Sequence, residues 1–201
     1  EKAPEEVDFD GEQVFAKDGS ASISLKDIGN CAMANNGKAL EVTESHSSPV
    51  SPPPFMVGMA EIEMDQETCD FELVNYVAVV DCGTPINPAI ARVQTEGGLG
   101  QGIGMAMFED VTRSEKGQVY ENSFMQYKIP SRMDVGTIRV EFESSYEPTG
   151  PFGAKSIGEI VINTPAPALA HAIYNATGLW FRELPITSEQ IAMGIAEKEC
   201  E

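Results

Sequence analysis

Five glycines fall within eight residues of the stretch NPAIARVQTEGGLGQGIGMAM (87–107), and the stretch carries a helical pattern. Asn87 is placed to cap the helix, and Pro88 suits its first position, where no intrahelical N–H is needed. Ala89, Ile90 and Val93 share one face, continued by Gly97, Gly100, Gly104 and Met107. Each glycine weakens a helix by about 1 kcal/mol relative to alanine. Such a helix is worth forming only where close approach is gained, to another backbone or to a ligand. The two common phosphate loops do not match. No Lys follows as GxxxxGK[ST] requires, and Ile103 stands where the third glycine of GxGxxG would fall counting from Gly98. A tightly packed helix is therefore the plainer reading. Gln101 is the one polar side chain in the run; its amide, if buried, needs partners, and a polar cofactor could supply them.

The rest of the chain supplies strands and helices in mixed order. Residues 55–65 alternate from Met59 onward, with Ala60, Ile62 and Met64 opposite Met59, Glu61, Glu63 and Asp65. Residues 71–83 form a second strand whose nearly continuous apolar run predicts cover on both faces, and QETCD between the two suits a hairpin. A further strand is expected over 138–145 and a short one over 40–44. The prolines of SHSSPVSPPP (45–54) exclude helix and central strand there. Helices are expected after Ser24, ending at NNG, over 165–177 ending at Gly178, and near the C-terminus after a Thr187 or Ser188 cap. FMQYKIPSRMD (124–134) reads as a strand leading into a loop with a cationic rim. Strands and helices mix without strict alternation, which predicts an α+β fold, and the length suits one domain over residues 1–201.

Charge and cysteine usage narrow the function. Thirty-two acids against 13 bases give a net charge of −19, which excludes a nucleic-acid surface built on clustered Lys and Arg. No apolar run is long enough to span a membrane, and no signal peptide is visible. Cys31, Cys69, Cys82 and Cys200 form no CxxC pair, and His46 and His171 lie far from them in sequence. Free, mostly buried thiols in a reducing cytoplasm are expected, with no metal ligand from this chain.

Against this acidic background one carboxylate stands apart. In PFGAKSIGEIVINTPAPAL (151–169) Glu159 follows Gly158 among Ile157, Ile160, Val161 and Ile162. Pro165 and Pro167 then open a helix whose positive N-terminus would face this turn. Apolar surroundings disfavour a carboxylate's charge and a helix N-terminus favours it; a group set between the two suits a general base. A surface loop acid or a capping acid is the commoner role for such a residue.

GAKSIGE before a proline-started helix resembles the catalytic-base segment of the molybdenum hydroxylases, the xanthine dehydrogenase and aldehyde oxidase family. Upstream, SPPPFMVGMAEIEMDQET, VAVVDCGTPINPAIARVQTEGGLGQGIGMAMFED and NSFMQYKIPSRMD resemble that family's molybdopterin-binding subunit in wording and order. The likeness covers nearly all of residues 50–190 and is nearest to xanthine dehydrogenase-type subunits of anaerobic bacteria. It implies a molybdopterin cofactor in its cytosine dinucleotide form, with FAD and [2Fe-2S] clusters on partner subunits or other domains. It implies that Glu159 is the base that deprotonates a molybdenum-bound hydroxyl, so that an electron-poor carbon of a purine-like N-heterocycle is hydroxylated with oxygen from water. It implies cofactor-binding positions at Gln101, Gly100, Lys155 and Ser156, the last two also flanking the base and supporting its loop; no residue of this chain is expected to bind the metal.

The family's molybdopterin subunit is several times longer than this chain. The resemblance therefore implies a C-terminal portion that works with the N-terminal part of the subunit and with iron–sulfur and FAD subunits, and that is inactive alone. Nicotinate- or aldehyde-oxidising relatives share the motifs, and a non-catalytic scaffold that keeps the fold is the rival reading.

Overall fold

A computed structural model describes residues 2–37, 40–45, 47 and 50–200. The chain divides into two compact units, Glu1–Ser47 and Ser48–Glu201, where one domain is expected from the sequence.

The first unit holds three short antiparallel strands, β1 (Val7–Phe9), β2 (Gln13–Ala16) and β3 (Ser22–Ser24), in that order. Asp10 accepts from the backbone N–H of Glu12 and Gln13, and Asp18 from Ser20, so each DG turn is closed by its own aspartate. Helix α1 (Leu25–Asn36) follows directly. Ser24 accepts from the Asp27 N–H at 3.1 Å, and Gly37, in the left-handed region, ends the helix, as the caps predict. The strand expected over 40–44 does not form.

The second unit is a three-stranded sheet covered on one face by helices. β4 (Phe55–Met64) and β5 (Phe71–Asp81) form the expected antiparallel hairpin, with a bulge between Glu61 and Ile62. The chain then runs through α2 (Pro88–Met107) and an irregular segment to β6 (Thr137–Phe142), which pairs parallel to β5 from Asn75↔Thr137 to Val80↔Phe142. Two consecutive helices follow, α3 (Ile160–Asn163) and α4 (Pro165–Thr177), then α5 (Ser188–Glu199) capped by Thr187. The mixture of strands and helices is the expected α+β class.

The core lies between the sheet and helices α2 and α4. Leu73, Tyr76, Ala78 and Val80 of β5 meet Leu99 and Ile103 of α2 and Leu169 of α4. The other face of β5 is not covered as the apolar run predicts: Val57 and Met59 of β4 and Val79 of β5 are exposed. An apolar run cannot distinguish cover on two faces from cover on one.

The segment 108–136 also differs from expectation. FMQYKIPSRMD forms turns rather than a strand, and its cations do not make a rim. The Lys128 ammonium donates to the Met125 carbonyl and the Arg132 guanidinium to the Gly136 carbonyl. These are intra-loop ties that hold a long connection without regular structure.

Candidate active site

The segment leading to Glu159 is tied to the C-terminal end of β5. The Lys155 backbone N–H donates to the Cys82 carbonyl at 2.7 Å, and Gly83 bridges Ala154. The Lys155 ammonium lies 2.5 Å from Asp81 Oδ2, with the Lys155 side chain 8% exposed. Asp81 Oδ1 accepts from Ser145 Oγ at 2.5 Å and from the Gly83 N–H at 3.0 Å. The lysine hydrogen bond, then that of the serine, lowers the Asp81 pKa from its ordinary 3.8 to about 2. Lys155 thus spends its charge inward, on Asp81 and 5.3 Å above the Phe55 ring. It anchors the loop. Ser156 is exposed, and its Oγ accepts from the Gly158 N–H at 3.4 Å, bracing the same loop from within.

Glu159 stands at the N-terminus of the one-turn α3, which intervenes before α4. The proline-started helix therefore does not face it directly, as the sequence suggests it would. The carboxylate caps no backbone N–H and the residue is exposed. Of its apolar neighbours only Val161 is fully buried, because it packs against α2. The shelter expected around Glu159 is not made by this chain's own side chains.

Helix α2 explains its glycines in two different ways. A side chain on Gly98 would collide with Val161, and one on Gly102 would come within 2.7 Å of the Ile162 carbonyl and of Pro165. These two, one turn apart, let α3 and the start of α4 lie against α2. Gly104 closes on Glu109 and Pro130. Gly97 and Gly100 differ, because a side chain on either would meet nothing within 4 Å. Of the stripe read from the sequence, Gly97 and Gly100 open outward and Gly104 packs, while Gly98 and Gly102, which lie off that stripe, pack within the chain.

The outward face borders the Glu159 turn. A groove of about 300 Å³ is lined by Ile90, Val93, Gly97, Gln101, Gly158 and Val161 among others. Ile90 and Val93 are 67% and 69% exposed. A second groove of about 410 Å³ lies on the other side of Gly158 and reaches Cys82, Asn87 and Lys155. Gln94 lines both, and its amide donates to the Gly158 carbonyl at 3.3 Å. Gln101 is exposed, and its amide has no partner among the described residues. An apolar stripe, a free amide and unfilled space at Gly97, bordered by Gly158, fit a polar-edged cofactor laid against α2.

Asp81, Ser145 and Gln94 are the site residues that sequence reasoning passes over. Asp81 had a signal: it ends an apolar strand in VVDCG, the same kind of isolated acid that singles out Glu159. Gln94 and Ser145 had none, since a helix-surface glutamine and a post-strand serine are ordinary. Of the four cysteines, Cys69 and Cys82 are buried and Cys31 and Cys200 exposed, so half of the thiols lie inside.

The Asp81 pair sets a pH dependence. Its folded pKa lies below the unfolded value, so its stabilisation is complete above about pH 4 and is lost as pH falls toward 2. Asp81→Asn should therefore unfold at lower urea than the parent at pH 6, by roughly 1–2 kcal/mol, and the gap should narrow sharply toward pH 2, where the Asp81 carboxyl is about half protonated. Other carboxylates titrate equally in both proteins, so the difference isolates this pair; a gap undiminished at pH 2 would show that packing, not charge, is responsible.

Comparisons with known proteins give a consistent answer. A molybdopterin cofactor-binding domain family matches residues 1–136. The "Probable hypoxanthine oxidase XdhD" of Escherichia coli (strain K12) is 34% identical over 174 residues, covering 84% of this chain and 18% of that protein. The xanthine dehydrogenase molybdenum-binding subunit of Escherichia coli O157:H7 is 31% identical over 172 residues, covering 84% of this chain and 23% of that subunit. In the crystal structure of quinoline 2-oxidoreductase from Pseudomonas putida 86, 26% of the chain matches 97% of this one, with a TM-score of 0.83 and 27% identity. The chain spans about a fifth to a quarter of the length of these relatives.

Proposed function

This chain belongs to the molybdenum hydroxylase family of molybdopterin-binding proteins, and from that premise we propose that it forms the part of a hydroxylase subunit that carries the base. The reaction would hydroxylate an electron-poor carbon of a purine-like N-heterocycle, with water as the oxygen source. The observation that carries the reading is the groove shared by Gln101, Gly97 and Gly158, the residue that precedes Glu159. The family match ends at residue 136, ahead of Glu159. The base assignment therefore rests on the segment's chemistry and on its place beside that groove.

The molybdopterin, when bound, supplies the two-electron acceptor for the reacting carbon. The chain's own residues do the rest. Gly97 and Gly100 leave space along α2, and Gln101 offers both a donor and an acceptor to a polar edge. Glu159 receives a proton on its carboxylate, which must reach the donor to within roughly 2.6–3.2 Å. Its exposure in this chain suits a site completed by other parts of the subunit, which would exclude water from the carboxylate. Lys155 and Ser156 hold the loop. The cytosine dinucleotide form of the cofactor, FAD and [2Fe-2S] partners and a cytoplasmic setting belong to the same reading. Purines are favoured because hypoxanthine and xanthine name two of the relatives and quinoline, also an N-heterocycle, the third.

The test is the enzyme assembled with its native partners. Molybdenum and pterin should be found in equal amount to this chain, and purines should turn over at least about tenfold faster than aldehydes or nicotinate. A loaded enzyme that prefers aldehydes overturns the substrate reading alone. Absence of both molybdenum and pterin overturns the whole reading in favour of a scaffold.

A further inference from the structure

We propose that Gln94 and the Asp81–Lys155 ion pair are positioning residues that clamp the segment carrying Glu159 at its two ends, an inference that rests on Glu159 being the base. The Glu159 side chain has no capping bond of its own, so its direction is inherited from residues 155–158. At the start of the segment, Lys155 is fixed through its backbone N–H to Cys82 and through its ammonium to Asp81. Asp81 is fixed in turn by Ser145 and Gly83. Residues 81–83 and two points of the segment 145–155, more than 60 positions away, meet at this one carboxylate.

The other end is the Gly158 carbonyl. That oxygen belongs to the same planar peptide as the Glu159 N–H, so holding it fixes the plane from which the Glu159 Cα hangs. Gly158 has no Cβ, and a side chain there would meet only Ser156 Oγ, at 3.8 Å. Without a tether the peptide is free to turn. Gln94 provides the tether from α2, a helix of 20 residues whose N-cap, Asn87, accepts from the Ile90 N–H. A single exposed hydrogen bond contributes little to stability. Its effect is on direction, and a base displaced by about 1 Å can lose up to about 10² in rate.

Gln94→Ala tests this cleanly, because alanine favours the helix and the fold should be kept. In the assembled enzyme it should lower kcat by about tenfold, with KM and molybdenum content little changed. Amide hydrogen exchange of the Gly158 N–H, which donates to Ser156 Oγ at 3.4 Å, should rise measurably while α2 and α4 stay protected. In a Glu159→Gln background the same change should cost less than about twofold, because a residue that acts through Glu159 has nothing left to position. Ser145→Ala should raise exchange at the Lys155 end only. An equal loss of turnover in both backgrounds, or unchanged exchange of the Gly158 N–H, overturns the clamp. If Glu159→Gln alone turns over at the parent rate, the base reading fails, and the exchange data still report on the clamp independently.

Discussion

Glu159→Gln in the assembled enzyme should keep the fold and the molybdenum content and lose about 10²–10⁴-fold in turnover, the range typical of a missing general base. The substitution keeps the size and hydrogen-bonding reach of the side chain and removes its ability to accept a proton. Little in this chain should respond otherwise, because the carboxylate makes no capping bond and the residue is exposed. Unfolding in urea should match the parent within about 0.5 kcal/mol, as for a surface position. The loss should appear in kcat and in kcat/KM alike, as expected for an interaction made only in the transition state. Near-parent turnover with full cofactor would remove the mechanism and leave a domain that only holds its partners.

The second large effect is structural and separates the two classes of glycine in α2. Gly102→Val should destabilise the second unit by about 3 kcal/mol, since the added carbon would press on the Ile162 carbonyl and Pro165 and neither is the loose end of a side chain. Gly98→Val should act similarly against Val161. Gly100→Val should leave stability unchanged to within about 0.5 kcal/mol, since valine is the better helix residue and meets nothing in this chain. Its expected loss is cofactor content in the assembled enzyme. Denaturant unfolding of the three variants, together with molybdenum analysis of the third, checks both halves. Equal destabilisation by all three would mean that the open face of α2 is not open.

These contrasts show where the sequence is informative. Helix ends were legible because single residues specify them: Ser24, Asn87 with Pro88, Pro165, Gly178 and Thr187 all stand where their chemistry demands. The β4–β5 hairpin was legible from alternation. The strands β1 to β3 were not, because they are three or four residues long and only their turns carry a local signature. That Glu159 and the glycine helix belong to one site is implied by the resemblance, but the exposure of Glu159 is not. Isoleucine and valine around it suggest burial, whereas most of them pack only partly. The split of the glycines into packing and open sets was hidden because it depends on what lies opposite each one. Asp81 was missed because its partners, Lys155 and Ser145, come from residues more than 60 positions away.

The parallel pairing of β6 bears on how the sheet assembles. β4 and β5 meet across the turn at residues 65–70, whereas β6 reaches β5 only after residues 82–136 have been traversed. Closing the longer loop costs about 2 kcal/mol more in chain entropy. The hairpin can therefore form early, and β6 is the strand that arrives late. Until it does, one edge of β5 has its backbone groups unpaired, with Val77 and Val79 beside them. That is the stage at which the nascent protein is most open to adding a strand from a neighbouring chain instead of its own.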